Sequence, residues 1–387
     1  MAPQPRLVLL LHSSAGHYGA DRQLELIARG LDPERYRPLV VLANDGPLAA
    51  DLRDAGVEVA VASLAVLRRE LLSPLGVARL AGRWARDARA LGALARRRQV
   101  ALVHSNTSVI LGGAPAARLA GVPHVWHVRE IYGGFRRLWP IYRRLLSSAD
   151  ELVCVSRATA AQFAGASARV RVTYDGMALA PAPDARRAAR ESARRHLGLP
   201  GSAFVCAVLG RLSAWKGQDV LLRALAAPEL QAAGAVGLIA GDPWPSQEHH
   251  RARLRELASD LGVAQRVRWL GFCPEPELLY AAADVVAVPS TEPDPLPNAA
   301  LEAAAAGCCV VASGHGGLPE IVRDGHSGRL IPPGDARALA RVLAELAADP
   351  AQAARLGAAA AEDARARFDP RALLRSLQEV YDRAVSR

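Results

Sequence analysis

Lysine is all but missing from this chain. Of 48 basic side chains in 387 residues, only Lys216 is a lysine. Guanidinium is a flat five-donor fork, whereas ammonium is a compact, strongly hydrated point charge. A single retained lysine either marks a position that wants a point charge, of which phosphate clamping is the commonest use, or is there by chance, and its neighbourhood decides. Cysteine is scarce too: Cys154, Cys206, Cys273, Cys308 and Cys309 lie mostly in apolar stretches, with no Cys-x-x-Cys pair. That argues against a disulfide framework and for buried thiols in a reducing compartment. Long apolar runs are absent. Nothing approaches the ~20 residues of a membrane span, and the first run, Leu7–Leu11, is shorter than a signal-peptide core of about 7–15 residues. The expected location is cytoplasmic. No Asp-x-Asp pair or Cys/His ligand spacing calls for a metal. No Walker loop is present, and no G-x-G-x-x-G follows a strand, which argues against an NAD-dependent enzyme.

What is present begins around the lone lysine. Residues 204–209 form an apolar run of strand length that stops at Gly210, and Val220, Leu221, Ala224 and Leu225 have helical spacing. Arg211 and Lys216 thus fall between a strand and a helix, at the carboxyl edge of an open sheet, where doubly wound folds bind ligands. Two cations and a glycine beside a helix N-terminus make an anion site.

A second constellation runs from Asp284 to Gly307. A buried strand (285–288) leads into a proline-broken loop and then a helix from about Asn298 to Ala306. Asp294 precedes Glu302 by eight residues. The helix start between them offers free N–H groups to an anion, and Glu302, one turn inside, is placed to accept from paired sugar hydroxyls. Taken singly, a solvated acidic loop and an ordinary surface glutamate are the plainer account of these residues.

Together the elements resemble the retaining glycosyltransferases of family 4. Gly210-Arg-Leu212 with Lys216-Gly217 is similar to that family's donor-phosphate clamp. Asp294 to Glu302 matches its E-x₇-E motif, and Gly316-Gly-Leu-Pro-Glu-Ile-Val322 matches a downstream Gly-Gly-x-Pro-Glu element. Val267–Phe272 resembles the strand that ends at the nucleotide base. Gly16-His-Tyr-Gly19-Ala20 resembles the glycine loop near the donor pyrophosphate, and Val125–Glu130 the segment with the active-site histidine, here His127. The resemblance implies an α/β GT-B fold, two Rossmann-like parallel-sheet domains facing each other across a cleft. It implies a nucleotide-sugar donor, UDP- or GDP-linked, retention of configuration, and no metal or other cofactor. Asp294 departs from the family's glutamate by one methylene, with Glu292 nearby as a substitute. Pro297 replaces a common glycine, which leaves N–H contacts to Leu296, Asn298 and Ala299.

The expected roles follow. Arg211 and Lys216 stabilise charge building on the β-phosphate, Gly19 permits close backbone approach, and His127 and Asp294 sit at the reacting sugar. Gly210, Phe272 and Glu302 complete the donor set. For His127 a hydrogen-bonded strand-end histidine is the plainer alternative. Two further readings stay open: a nucleotide-sugar epimerase of similar fold, and an Arg-rich nucleic-acid-binding protein. No recognisable nucleic-acid module is present, so no nucleic acid is expected.

Residues 1–180 read as a first, acceptor-side Rossmann-like domain with strands at Leu7–Leu11, Leu39–Leu42, Ala101–His104, His124–Val128 and Leu152–Val155. Residues 181–200 read as a linker, 201–367 as the nucleotide-sugar domain, and 368–387 as a helix crossing back. The first 180 residues hold 24 Arg against 14 Asp and Glu, so the net charge of +10 lies there. On a helix, Val77, Leu80, Trp84, Leu91 and Leu94 form one stripe bordered by Arg79, Arg83, Arg86 and Arg89. This is either a core helix with solvated arginines or a helix lying on an anionic membrane. Arg136, Arg137, Arg143 and Arg144, interleaved with Leu138, Trp139, Ile141 and Tyr142, form a second basic patch. Peripheral membrane association and a glycan or lipid-linked acceptor are the expectation.

Overall fold

Short apolar runs alternate with helical periods along the chain, and a computed structural model shows them folded into two separate parallel sheets. It describes residues 4–67, 74–133, 138–166, 169–177, 183–244 and 247–386. The chain divides into two units, Met1–Gly176 with Pro370–Arg387, and Met177–Asp369.

The first unit alternates strand and helix: β1 (Arg6–His12), α1 (Gly19–Gly30), β2 (Tyr36–Leu42), α2 (Pro47–Asp54), β3 (Glu58–Val61) and α3 (Pro74–Arg97). It continues with β4 (Leu102–Ser105), α4 (Gly113–Ala120), β5 (His124–Val128), α5 (Trp139–Leu146), β6 (Glu151–Cys154), α6 (Arg157–Ala161) and β7 (Arg169–Val172). All strands are parallel in the order β3-β2-β1-β4-β5-β6-β7, so the order reverses beside β1. Parallel sheets bury both faces, and here one face packs Leu24, Ile27, Leu48 and Leu52 while the other packs Leu91, Ala95, Ala116 and Ala117. The edge strands β3 and β7 are half-exposed and carry Glu58, Arg169 and Arg171, which is why no apolar run announces them.

The second unit holds α7 (Pro183–His196), β8 (Val205–Leu209), α8 (Gln218–Leu225), α9 (Pro228–Ala232), β9 (Val236–Ala240), α10 (His249–Asp260), β10 (Val267–Gly271) and α11 (Pro276–Ala282). Then come β11 (Val285–Val288), α12 (Asn298–Ala305), β12 (Cys309–Ser313), α13 (Leu318–Ile321), β13 (Arg329–Ile331), α14 (Ala336–Ala348) and α15 (Pro350–Arg367). Its order, β10-β9-β8-β11-β12-β13, reverses between β8 and β11. The last helix, α16 (Pro370–Val385), belongs to the first unit and buries Leu373, Leu377, Val380 and Tyr381 there.

One sequence reading changes, and one open alternative is decided. Within 181–200, set apart as a linker, Pro183–His196 is a helix of the second unit. It docks through arginines spaced by four. Arg186 donates to the carbonyls of Tyr280, Ala283 and Gly307 at 2.9, 2.5 and 3.0 Å, and Arg190 and Arg194 converge on Asp284 at 2.5 and 2.7 Å. A cation at the carboxyl end of a helix also meets its dipole favourably, and Arg186 does this for α11. The stripe on α3 is a core face, the first of the two readings of that helix. Leu80 and Leu91 are buried, Trp84 Nε1 donates to the Leu111 carbonyl at 2.7 Å, and Leu94 packs against the core. Arg83 and Arg89 donate to the carbonyls of Leu64 and Ala85. The side chains of Val77 and Arg79 lie outside the described residues, as do Arg136 and Arg137.

Candidate donor site and its relatives

In the second unit, the loops after β8 and β11 meet at the point where strand order reverses. Glycine makes the close approach possible: Gly217 has φ +77°, and a Cβ there would lie 2.0 Å from the Pro289 carbonyl oxygen. The Trp215 carbonyl accepts from Thr291 N at 2.8 Å and ties the loops together. Lys216 then reaches Asp294: Nζ donates to Oδ2 at 2.6 Å, and the carboxylate side chain is only 6% exposed. Glu292, the alternative acid, is exposed. The structure therefore brings together the lone lysine and the acid in motif register.

Gly316 and Gly317 support this loop from behind. Gly317 N donates to the Asp294 carbonyl at 2.7 Å, and a Cβ on Gly317 would fall 1.9 Å from the Pro295 oxygen. His315 Nε2 bonds the Ser290 carbonyl at 2.9 Å. Leu296 is buried and Asn298 opens α12, followed by Ala299. The buried Asn298 Nδ2 and Ser213 Oγ have no partner among the described residues, and such groups in native proteins usually serve a ligand or water. Glu302 Oε2 accepts from Tyr280 Oη at 2.7 Å. Gly210 follows β8, and the Arg211 guanidinium stacks on the Trp244 ring, 3.2 Å from its centroid. Phe272 is 44% exposed just past β10. A cavity of about 380 Å³ beside it is lined by Leu212, Gly241, Asp242, Arg251, Trp269 and Gly271 among others. Tyr280, Trp244 and His315 were not singled out in the sequence. Tyr280 falls in an ordinary helical stripe, Trp244 in a loop without a motif, and His315 beside the glycine pair, which was the available signal.

In the first unit, the loop from Ser13 to Tyr18 joins β1 to α1, with Gly19 as the first helical residue. Asp21 holds it: Oδ2 accepts from Tyr18 N at 3.0 Å and Oδ1 bonds His12 Nε2 at 2.8 Å. Burial pushes Asp21 up, but the bonds from His12, Ser14 and Tyr18 outweigh it and hold its carboxyl below the usual range. His127 is fully buried at the end of β5, and its Nε2 has no partner among the described residues. Its ring stacks on His104, with centroids 5.5 Å apart. Burial, and then the nearby Arg129, push its pKa well below 6.5, so the imidazole is neutral. Arg129 is itself anchored by Asp175 at 2.6 Å. No cluster of three or more potential metal ligands occurs among the described residues.

Two family models match, "Glycosyltransferase Family 4" over residues 17–180 and "Glycosyl transferases group 1" over 189–363. The chain belongs to glycosyltransferase family 4. A curated relative of this family member is the D-inositol 3-phosphate glycosyltransferase of Thermobispora bispora, 41% identical over 209 residues, 52% of this chain and 48% of that protein. Another is the GDP-mannose-dependent alpha-(1-6)-phosphatidylinositol monomannoside mannosyltransferase of Mycolicibacterium smegmatis, 38% identical over 56% of this chain and 58% of its own. The chain thus spans about half the length of the curated relatives it matches. Among solved structures, Anabaena Alr3699/HepE in complex with UDP and glucose is 28% identical, with a TM-score of 0.81 over 97% of this chain and 99% of that one. The family 4 member has the GT-B type of fold, with a parallel-sheet α/β domain in each half.

Proposed function

We propose that this family 4 protein transfers a sugar from a UDP- or GDP-linked donor to a glycan or lipid-linked acceptor, with retention and without a metal. The Lys216–Asp294 contact of 2.6 Å, at the strand-order reversal and beside the start of α12, carries the reading. When the anomeric bond breaks, negative charge builds on the β-phosphate, and fixed cations with helix N–H groups stabilise it without reorganising. Lys216 supplies the point charge, Arg211 the fork, and Asn298 and Ala299 the N–H dipoles, with Gly210, Leu296 and Phe272 shaping the donor site. Asp294 accepts from a hydroxyl of the transferred sugar while it orients Lys216, and Glu302 accepts from further hydroxyls. For the first unit, Gly19 is proposed for backbone approach to a diphosphate and the neutral His127 for a hydrogen bond to a sugar. UDP and glucose in the Anabaena structure, and GDP-mannose in the name of the mycobacterial relative, support a nucleotide-sugar donor.

Thermal shift with UDP, GDP, ADP, their sugar conjugates and NAD tests the proposal. A ligand at 100 times its Kd stabilises the folded state by about 2.7 kcal/mol. Stabilisation by one nucleotide series names the base; folded protein that responds to none removes the reading.

For the acceptor, the proposal includes contact with an anionic, cytoplasmic membrane face. Leu138 and Ile141 are 46% and 73% exposed at the start of α5, with Arg144 exposed beside them. The positive excess of the first 180 residues supports the same face. No helix among the described residues is long and apolar enough to cross a membrane. Co-sedimentation with anionic vesicles but not neutral ones is expected at low salt; negligible binding to both refutes it.

A further inference from the structure

Helix α16 returns to the first unit and carries Tyr381 into its interior, fully buried. The phenol oxygen lies 2.5 Å from Nδ1 of His104, on β4. Burial holds the Tyr381 hydroxyl well above its usual range and lowers His104 to about 3, so the phenol keeps its proton and the imidazole is neutral. The direction of the bond follows from counting groups. If Nδ1–H donated, the phenol proton and the Nε2 lone pair would both be buried without a partner among the described residues. If the phenol donates, only Nε2–H is left over, and one buried orphan is lower in energy than two. The phenol therefore donates to Nδ1, and His104 carries its proton on Nε2. The helix itself is anchored. Tyr381 meets the Tyr36 ring of β2 edge-on at 5.5 Å, and the neighbouring Asp382 accepts from Tyr36 Oη at 2.6 Å.

His104 in turn supports His127. The two lie on neighbouring strands and one face of the sheet, since His104 pairs in register with Val125, two residues before His127. Their rings stack with centroids 5.5 Å apart and planes 26° from parallel. The polar hold on His127 is weak: Arg129 Nη2 lies 3.5 Å from Nδ1, and the buried Nε2 has no partner among the described residues. Arginine can only donate, so Nδ1 is the acceptor and Nε2 carries the proton. A contact of that length does little to fix a ring with two rotatable bonds. Its plane is set by packing, in which His104 is the ring it stacks on, and the Tyr381 hydroxyl orients His104. We infer that Tyr381 is a positioning residue for glycosyl transfer, acting through His104 to fix the direction of the His127 Nε2–H. This rests on the role given to His127 above.

Tyr381→Phe removes the hydroxyl and keeps the ring. Long-range proton–nitrogen correlation spectra of the imidazoles, assigned with His104→Ala and His127→Ala, read both rings directly. In wild type each should show the neutral Nε2–H tautomer. In Tyr381→Phe the His104 Nδ1 resonance should move downfield as its donor is lost, and the His127 signals should shift or broaden. Turnover is followed as nucleotide release from the sugar conjugates of whichever nucleotide thermal shift selects. In Tyr381→Phe, kcat should fall roughly tenfold or more, with donor KM within about twofold of wild type. Val380→Ala, buried on the same helix and without a polar side chain, controls for packing. It should lower the melting temperature, leave the His127 signals in place and keep kcat within about twofold of wild type. Unmoved His127 signals in Tyr381→Phe, or equal losses of kcat in Tyr381→Phe and Val380→Ala, overturn the inference. So does wild-type kcat in Tyr381→Phe where His127→Ala is impaired. Wild-type kcat in His127→Ala instead overturns the role of His127 itself, which tells the two failures apart.

Discussion

Asp284→Ala tests whether the α7 arginines hold the second unit together. Asp284 accepts from Arg190, from Arg194 at 2.7 Å and from Val205 N at 2.7 Å. The Arg194 side chain is 4% exposed and that of Asp284 18%, so the pair is largely out of water. Removing one partner of a buried pair typically costs about 3–5 kcal/mol, because the other charge is left uncompensated. Arg194 retains bonds to the carbonyls of Ala282, Gly201 and Ala203, which places the loss at the lower end. For a unit the size of Met177–Asp369, about 3 kcal/mol corresponds to a melting shift of roughly 6–12 °C. Far-UV circular dichroism on heating reads it. Adding Arg194→Met should recover part of the loss, since replacing both partners by apolar groups is often close to neutral. A single variant that melts within 2 °C of wild type would refute the reasoning, with ~2 °C being under 1 kcal/mol at this size.

Lys216→Ala is expected to lower turnover on the order of 10²–10³-fold by removing a fixed charge from the leaving phosphate. Lys216→Arg should be impaired as well, since a fork does not reproduce a point charge held against Asp294; full activity of the arginine variant in initial-rate assays counts against the role. Gly317→Ala, whose Cβ meets the Pro295 oxygen at 1.9 Å, should displace the Asp294 loop. Loss of roughly 1–3 kcal/mol in urea unfolding and at least about tenfold weaker nucleotide binding are expected, and an unaffected variant removes the glycine pair from the site. Acid should destabilise the first unit above the range where carboxylates titrate. Burial lowers His104 and His124 from 6.5 to about 3 in the folded chain. The unfolded chain therefore takes up protons first. Stability is complete above pH ~6.5 and is lost towards pH 3, by about 2 kcal/mol per ring between pH 6.5 and pH 5. Equal urea stability at pH 7 and pH 5 contradicts this.

Interior elements were legible in the sequence because their physics is local. The strand at 285–288 and the helix spacing at Val220, Leu221, Ala224 and Leu225 come from runs buried on both faces or one, and each appears as expected. The order of the motif residues, from Gly19 through Lys216 to Glu302, is also a property of the chain. The linear chain did not reveal β3 and β7, whose exposed faces carry charges in place of an apolar run. It also disguised α7, which is rich in arginine because its partners are carbonyls and Asp284 about ninety residues on. Composition alone cannot tell an arginine that faces water from one that caps a distant helix.

The same limit applied to α3. Its apolar stripe suits a membrane or a core, and only the packing of Leu80, Leu91 and Trp84 chose the core. By itself the sequence determined two sheets of buried strands, the turns between them, and the residue types available for an anion site. Tertiary structure decided which acid meets Lys216, that Tyr280 holds Glu302, and that Gly317 must be bare against Pro295. Periodicity records which face of a segment avoids water; the contact partner on that face is set only when distant segments pack.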